Sequence, residues 1–186
     1  TLQFRYTTTD LLVSGALDAR GTEALPILFT SDDAAKAPGQ WGGVTFGATS
    51  DPTFSALEYC RWEYGGAGRA EMLRFDTTAP GIAQCAIAYS SVDGIACAGA
   101  SPRIAYTRLL NNGRDGIRTA AGAQPVVEQC VISGNAGLGI NNTDTARIIQ
   151  AGTNYWGDPT GPRDTLDRDG LGLINPAGSG DAVSEY

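Results

Sequence analysis

Three prolines, Pro80, Pro102 and Pro125, each open a copy of one pattern, and that internal repeat restricts the fold more than anything else in the chain. Two residues on stand Ile82, Ile104 and Val127. Five on stand Cys85, Thr107 and Cys130, and seven on stand Ile87, Leu109 and Ile132. Fourteen and fifteen on stand the pairs Gly94-Ile95, Gly116-Ile117 and Gly139-Ile140. The period is 22 to 23 residues. An eroded copy begins near Ala146 and puts Ile148 in the first apolar column. Upstream, Cys60 and Trp62 fall in the Cys and Ile columns of a slightly longer coil.

Side chains two apart on a strand share a face. Cys85 with Ile87, Thr107 with Leu109, and Cys130 with Ile132 therefore point inward together. Polar turns follow at Ser90-Ser91, Asn111-Asn112-Gly113 and Gly134-Asn135, and each Gly-Ile pair then starts another short strand. One copy cannot bury its apolar face alone. Stacked copies can, each strand pairing with its equivalent one copy away. The spacing predicts an all-β chain: a parallel β-solenoid of about six coils, 22 to 25 residues per coil. Residues 1–153 would form the coils, longer-looped up to Gln40, and residues 154–186 a loop-rich closing segment of the same domain. Parallel crossovers are strongly biased to the right hand. The 25 Gly and 9 Pro suit many short strands joined by turns.

The segments Leu12-Val13-Ser14-Gly15-Ala16-Leu17-Asp18-Ala19-Arg20-Gly21-Thr22, Pro26-Ile27-Leu28-Phe29-Thr30-Ser31 and Gly39-Gln40-Trp41-Gly42-Gly43-Val44-Thr45-Phe46 resemble the opening of right-handed parallel β-helix repeat proteins. These are secreted or surface-anchored bacterial proteins of the pectate-lyase-like superfamily. Asn154-Tyr155-Trp156-Gly157-Asp158-Pro159-Thr160-Gly161-Pro162 resembles their closing motif, and Asn175 to Val183 the segment after it. The resemblance covers nearly the whole chain and implies a right-handed parallel β-helix at the bacterial cell surface or outside the cell. It does not select a reaction, because this architecture carries lyases, hydrolases, adhesins and spacers. It also starts and stops inside the family pattern. Two explanations fit: an internal piece of a longer surface protein, or a subunit whose open coil ends are completed by copies of itself in a fibre. The start at Thr1, without Met, agrees with a removed leader or with a fragment.

Composition narrows the chemistry. The chain has no His, which removes the commonest general base and any Ser-His-Asp or Cys-His arrangement. A net charge of −7 argues against nucleic acid as a partner. No apolar run approaches the length of a membrane span. Pectin hydrolases of the resembling superfamily carry an Asn-Thr-Asp motif, an Asp-Asp pair and a Gly-His-Gly motif. Here Asn142-Thr143-Asp144 is present, the Asp32-Asp33 pair lies far before it, and the His-containing motif cannot exist, so Asn142-Thr143-Asp144 reads as a turn between coils. The acidic stretch Asp158, Asp164, Asp167 and Asp169-Gly170 offers hard oxygen ligands, and Asp164, Asp167 and Asp169 are the candidate Ca²⁺ ligands. They lack the distal Glu of an EF-hand loop. The four cysteines read as a buried ladder. One bridge, Cys60 to Cys85, stays open if their coils are adjacent. Trp41, Trp62 and Trp156 read as packing residues. Tyr59, Tyr64, Tyr89 and Tyr106 are the candidates for an outward surface that stacks on surface glycans.

These residues lean away from an enzyme. The expected function is a non-catalytic extracellular structural or adhesive module whose open ends meet copies of itself or flanking segments of a longer chain. The alternative is a carbohydrate-active protein that binds or cleaves acidic polysaccharide with Ca²⁺.

Overall fold

The computed structural model describes residues 1–144, 146–166 and 174–184. The first coil supplies β1 (Leu2–Phe4), β2 (Leu11–Val13) and β3 (Asp18–Arg20), and the second β4 (Ile27–Ser31), β5 (Val44–Phe46) and β6 (Ala56–Glu58). The third holds β7 (Cys60–Glu63), β8 (Glu71–Phe75) and β9 (Ile82–Ala83), and the fourth β10 (Ala86–Ala88), β11 (Asp93–Ala98) and β12 (Arg103–Ala105). The fifth holds β13 (Arg108–Leu110), β14 (Ile117–Ala120) and β15 (Val126–Glu128), and the sixth β16 (Val131–Ser133) and β17 (Ile140–Asn142). Every third strand pairs, always in parallel. The result is three sheets: A (β1-β4-β7-β10-β13-β16), B (β2-β5-β8-β11-β14-β17) and C (β3-β6-β9-β12-β15). The chain is a three-sheet parallel β-solenoid of six coils, as the repeat predicts.

Register turns the sequence columns into core columns. Phe29, Trp62, Ile87, Leu109 and Ile132 stack along sheet A. Leu11, Val44, Leu73, Ile95, Ile117 and Ile140 stack along sheet B. Ala19, Leu57, Ile82, Ile104 and Val127 stack along sheet C. All belong to one continuous hydrophobic cluster. The N-terminal half is the aromatic half: Phe29 stacks on Trp62 with ring centroids 5.1 Å apart, and Phe4 on Trp41 at 4.2 Å.

Coil length is less uniform than the repeat suggests. Phe29 pairs with Trp62, a step of 33 residues, whereas Ile87 pairs with Leu109, a step of 22. The surplus lies mostly in the loop between β4 and β5, which carries Trp41 inward. That ring is fully buried, with its Nε1 donating to the Glu63 carbonyl at 2.8 Å. Ile148 is not the apolar residue of the last coil. It is 65% exposed, and Gln150 bridges Val126, which aligns Ala151 with Val127. Asn142 to Ala151 spans nine residues, against eight from Thr119 to Val127 and seven from Cys97 to Ile104, so the column slips past Ile148.

From the second coil on, the chain turns from sheet C into sheet A through one left-handed residue. Tyr59, Gln84, Tyr106, Gln129 and Thr153 all have φ between 49° and 59°. The turn from A towards B repeats the device at Tyr64, Tyr89 and Asn111, with φ between 53° and 66°. Left-handed backbone costs a non-glycine residue about 1–2 kcal/mol, so something must hold these corners.

Candidate functional site: a tyrosine-flanked groove on sheet A

The Cys column is what holds the first corner. The backbone N–H of Cys60 donates to Cys85 Sγ at 3.3 Å, that of Cys85 to Thr107 Oγ1 at 3.3 Å, and that of Cys130 to Asn154 Oδ1 at 2.9 Å. Each side chain also donates back to the carbonyl two residues earlier: Cys60 to Glu58, Cys85 to Ala83, Thr107 to Ala105 and Cys130 to Glu128. The left-handed residue between is pinned on both sides. The coils of Cys60 and Cys85 are adjacent, yet both are free thiols, as are Cys97 and Cys130. The hydrogen bond from Cys85 holds the Cys60 thiol below its ordinary pKa and raises that of Cys85, which burial raises further. Burial alone pushes Cys97 up to about 12, and burial is the largest cause of the raised pKa of Cys130. No thiolate nucleophile is prepared at Cys85, Cys97 or Cys130.

The turn towards sheet B is held by a second ladder. Ser90 N–H donates to Asn112 Oδ1, and Asn112 Nδ2 to Asn135 Oδ1 at 2.8 Å. Asn135 Nδ2 donates to Asp181 Oδ2 at 2.8 Å. Asp181 comes from the closing segment, so that segment is bound into the ladder of the coils.

A left-handed corner turns its own side chain outward. Sheet A is therefore bordered by two rows of outward side chains. Tyr59, Gln84 and Tyr106 form one row. Tyr89 stands in the other and stacks on Tyr64, with centroids 5.3 Å apart and planes 7° from parallel. Burial, with Glu63 beside it, raises the pKa of the Tyr64 phenol. Tyr89 and Tyr106 remain 39% and 47% exposed. Between the rows lie the outward residues of β7, β10 and β13: Arg61 and Glu63, then Ala86 and Ala88, then Arg108 and Leu110. Two alanines in the middle strand leave a hollow. The loop Thr22–Glu23–Pro26 closes one end, and the groove encloses 460 Å³, within the range of small-ligand sites. Arg61 pairs with Glu63. Neither Arg108 nor Glu23 has a side-chain partner among the described residues.

The other sequence candidates do not converge. Asn142 accepts from the Thr119 hydroxyl at 2.8 Å and donates to the Arg147 carbonyl, and Asp144 accepts the Gly122 N–H at 3.0 Å: a turn between coils. Asp32 pairs with Arg5, and Asp33 accepts the Ala35 N–H. Asp158 accepts both the N–H and the hydroxyl of Thr160, which lower its pKa. Of the candidate Ca²⁺ ligands, Asp164 shares backbone hydrogen bonds with Asn175. Asp167 and Asp169 lie outside the described residues. Among the described residues no three His, Cys, Asp or Glu side chains group as a metal site.

The sequence picked out all four tyrosines, but not the groove. Its floor depends on Ala86 and Ala88 falling between the charged residues of the neighbouring strands, which only register reveals. No protein-family model, curated protein or solved structure matches the chain.

Proposed function

We propose that this chain is a non-catalytic module of an exported bacterial surface protein, a rigid solenoid rod that continues through an open coil edge and carries adhesive recognition on its outer faces. The observation that carries the reading is the asymmetry of the two ends. At the last coil, Gln150, Tyr155 and Val183 bridge to β15, β16 and β17. At the first coil, β1, β2 and β3 each pair with one neighbour only among the described residues. Their outer backbone groups form a template for one more parallel coil. A second copy of this chain or a flanking segment of a longer one has the geometry to supply it. The resemblance to secreted β-helix repeat proteins supports the surface assignment.

Light scattering on the purified chain, with electron microscopy of the same sample, tests the reading. Filaments with an axial repeat of roughly 34 Å, six coils and the bridged closing segment at about 4.8 Å each, are expected if copies supply the missing coil. A monomer at all concentrations overturns self-stacking and leaves the flanking segment as the source.

A further inference from the structure

We infer that the groove on the outer face of sheet A binds a short neutral oligosaccharide. The inference deepens the adhesive half of the proposed function and is independent of how the coil ends are completed.

Geometry is the first argument. Tyr is intermediate in burial and carries a large apolar ring face that favours contact over water. Here Tyr89 and Tyr106 are held outward by left-handed corners that cost stability, on opposite borders of one sheet. The borders lie five residues apart along the coil, roughly 16 Å of extended chain. Pyranose rings present flat C–H faces to aromatic rings and hydroxyls at their edges. A hollow with a ring on each border and alanine in its floor fits a short chain of such rings better than one isolated ring. Arg108 and Gln84 supply donors for hydroxyls, and Glu23 an acceptor.

Charge decides the class of sugar. Arg61 is cancelled by Glu63, and the remaining Arg108 is balanced by the opposite charge of Glu23 on the loop at the closed end. The groove is thus formally neutral, within a chain of net charge −7. A polyanion would meet repulsion from the molecule as a whole and no net positive site to offset it. A neutral saccharide needs only what the groove contains: ring faces, one cation and one carboxylate as hydrogen-bonding groups.

The fold itself supplies substitutions that leave the coil intact. Gln84 and Gln129 occupy the column of Tyr106, and Asn111 that of Tyr89, all with the same left-handed backbone. Tyr106→Gln and Tyr89→Asn therefore copy residues the corners already accept. The experiment is isothermal titration calorimetry of the full chain with cellotetraose, mannotetraose, chitotetraose and, as the acidic comparison, tetragalacturonate. The expected result is binding of at least one neutral tetrasaccharide, weakened tenfold or more by the double substitution with an unchanged melting temperature, and unaffected by Arg118→Gln on sheet B. No neutral binding, binding that survives the double substitution, or binding of tetragalacturonate alone would each overturn the inference. A chain that stays monomeric yet binds a neutral sugar keeps this inference and removes only the self-stacking rod.

Discussion

At the corner between sheets C and A, Thr107 occupies a column otherwise made of sulfur and amide. Its hydroxyl accepts the Cys85 N–H at 3.3 Å and donates to the Ala105 carbonyl at 2.9 Å, in a fully buried site. Replacing it by an isosteric apolar side chain leaves the Cys85 N–H buried and unpartnered, while the Ala105 carbonyl keeps the Gln84 N–H at 3.2 Å; one such orphaned group costs about 1–3 kcal/mol. Thr107→Val is accordingly expected to lose about 1–3 kcal/mol in urea unfolding. Thr107→Cys, which copies Cys85 and Cys130, should lose less than about 1.5 kcal/mol. Equal losses from the two variants would show that packing, and not the ladder, holds the corner. The positions of the cysteines in one inward column were legible in the sequence. Their hydrogen bonds were not, because these depend on a left-handed residue immediately before each one, and Tyr59, Gln84 and Gln129 are not residue types that advertise that backbone.

Among the elements, the strands of sheet B begin at a tight place. A Cβ on Gly116 would sit 2.6 Å from the Gly139 carbonyl oxygen, and one on Gly94 2.8 Å from that of Gly116. These glycines have no positive φ, so what they provide is room between stacked coils. Because the obstacle is backbone, it does not swing aside. Gly116→Ala should destabilise by about 1–3 kcal/mol through overpacking. Gly15→Ala, where nothing lies within 4 Å, should stay within about 0.5 kcal/mol. Urea midpoints of the two variants at one pH provide the comparison. The repeat marks the Gly column plainly, and the strand after it, because packing between identical coils imposes the same residue at the same spacing. Legibility falls where the coils differ. The loop between β4 and β5 buries Trp41 through one hydrogen bond to Glu63, and no periodicity announces that. Ile148 looks like a column residue by type and spacing, but the connection into the last coil is longer than its predecessors.

For the molecule as a whole, the core is closed sideways and open lengthwise. Three sheets around one apolar column leave no sheet edge along the flank, so every unpaired backbone group of the sheets lies at a coil end. The first coil is the informative end. The Asp32 N–H donates to the Phe4 carbonyl, so Phe4 faces β4 with its backbone. Backbone direction alternates along a strand, which turns the N–H and carbonyl of Gln3 to the free side. Gln3 is also exposed in its side chain. Proline at this position removes the outward donor without touching a bond to β4, and proline is tolerated on an edge strand whose N–H faces away from its neighbour. Gln3→Pro is therefore expected to leave the melting temperature of the isolated chain within about 2 °C, a change of at most about 0.5–1 kcal/mol for a domain of this size. It should also abolish any concentration-dependent rise in mass seen by light scattering. If filaments persist with Gln3→Pro at wild-type length and abundance, the first-coil edge is not where copies join. If the melting temperature falls by 5 °C or more, the Gln3 N–H serves the chain's own fold and that edge is not free.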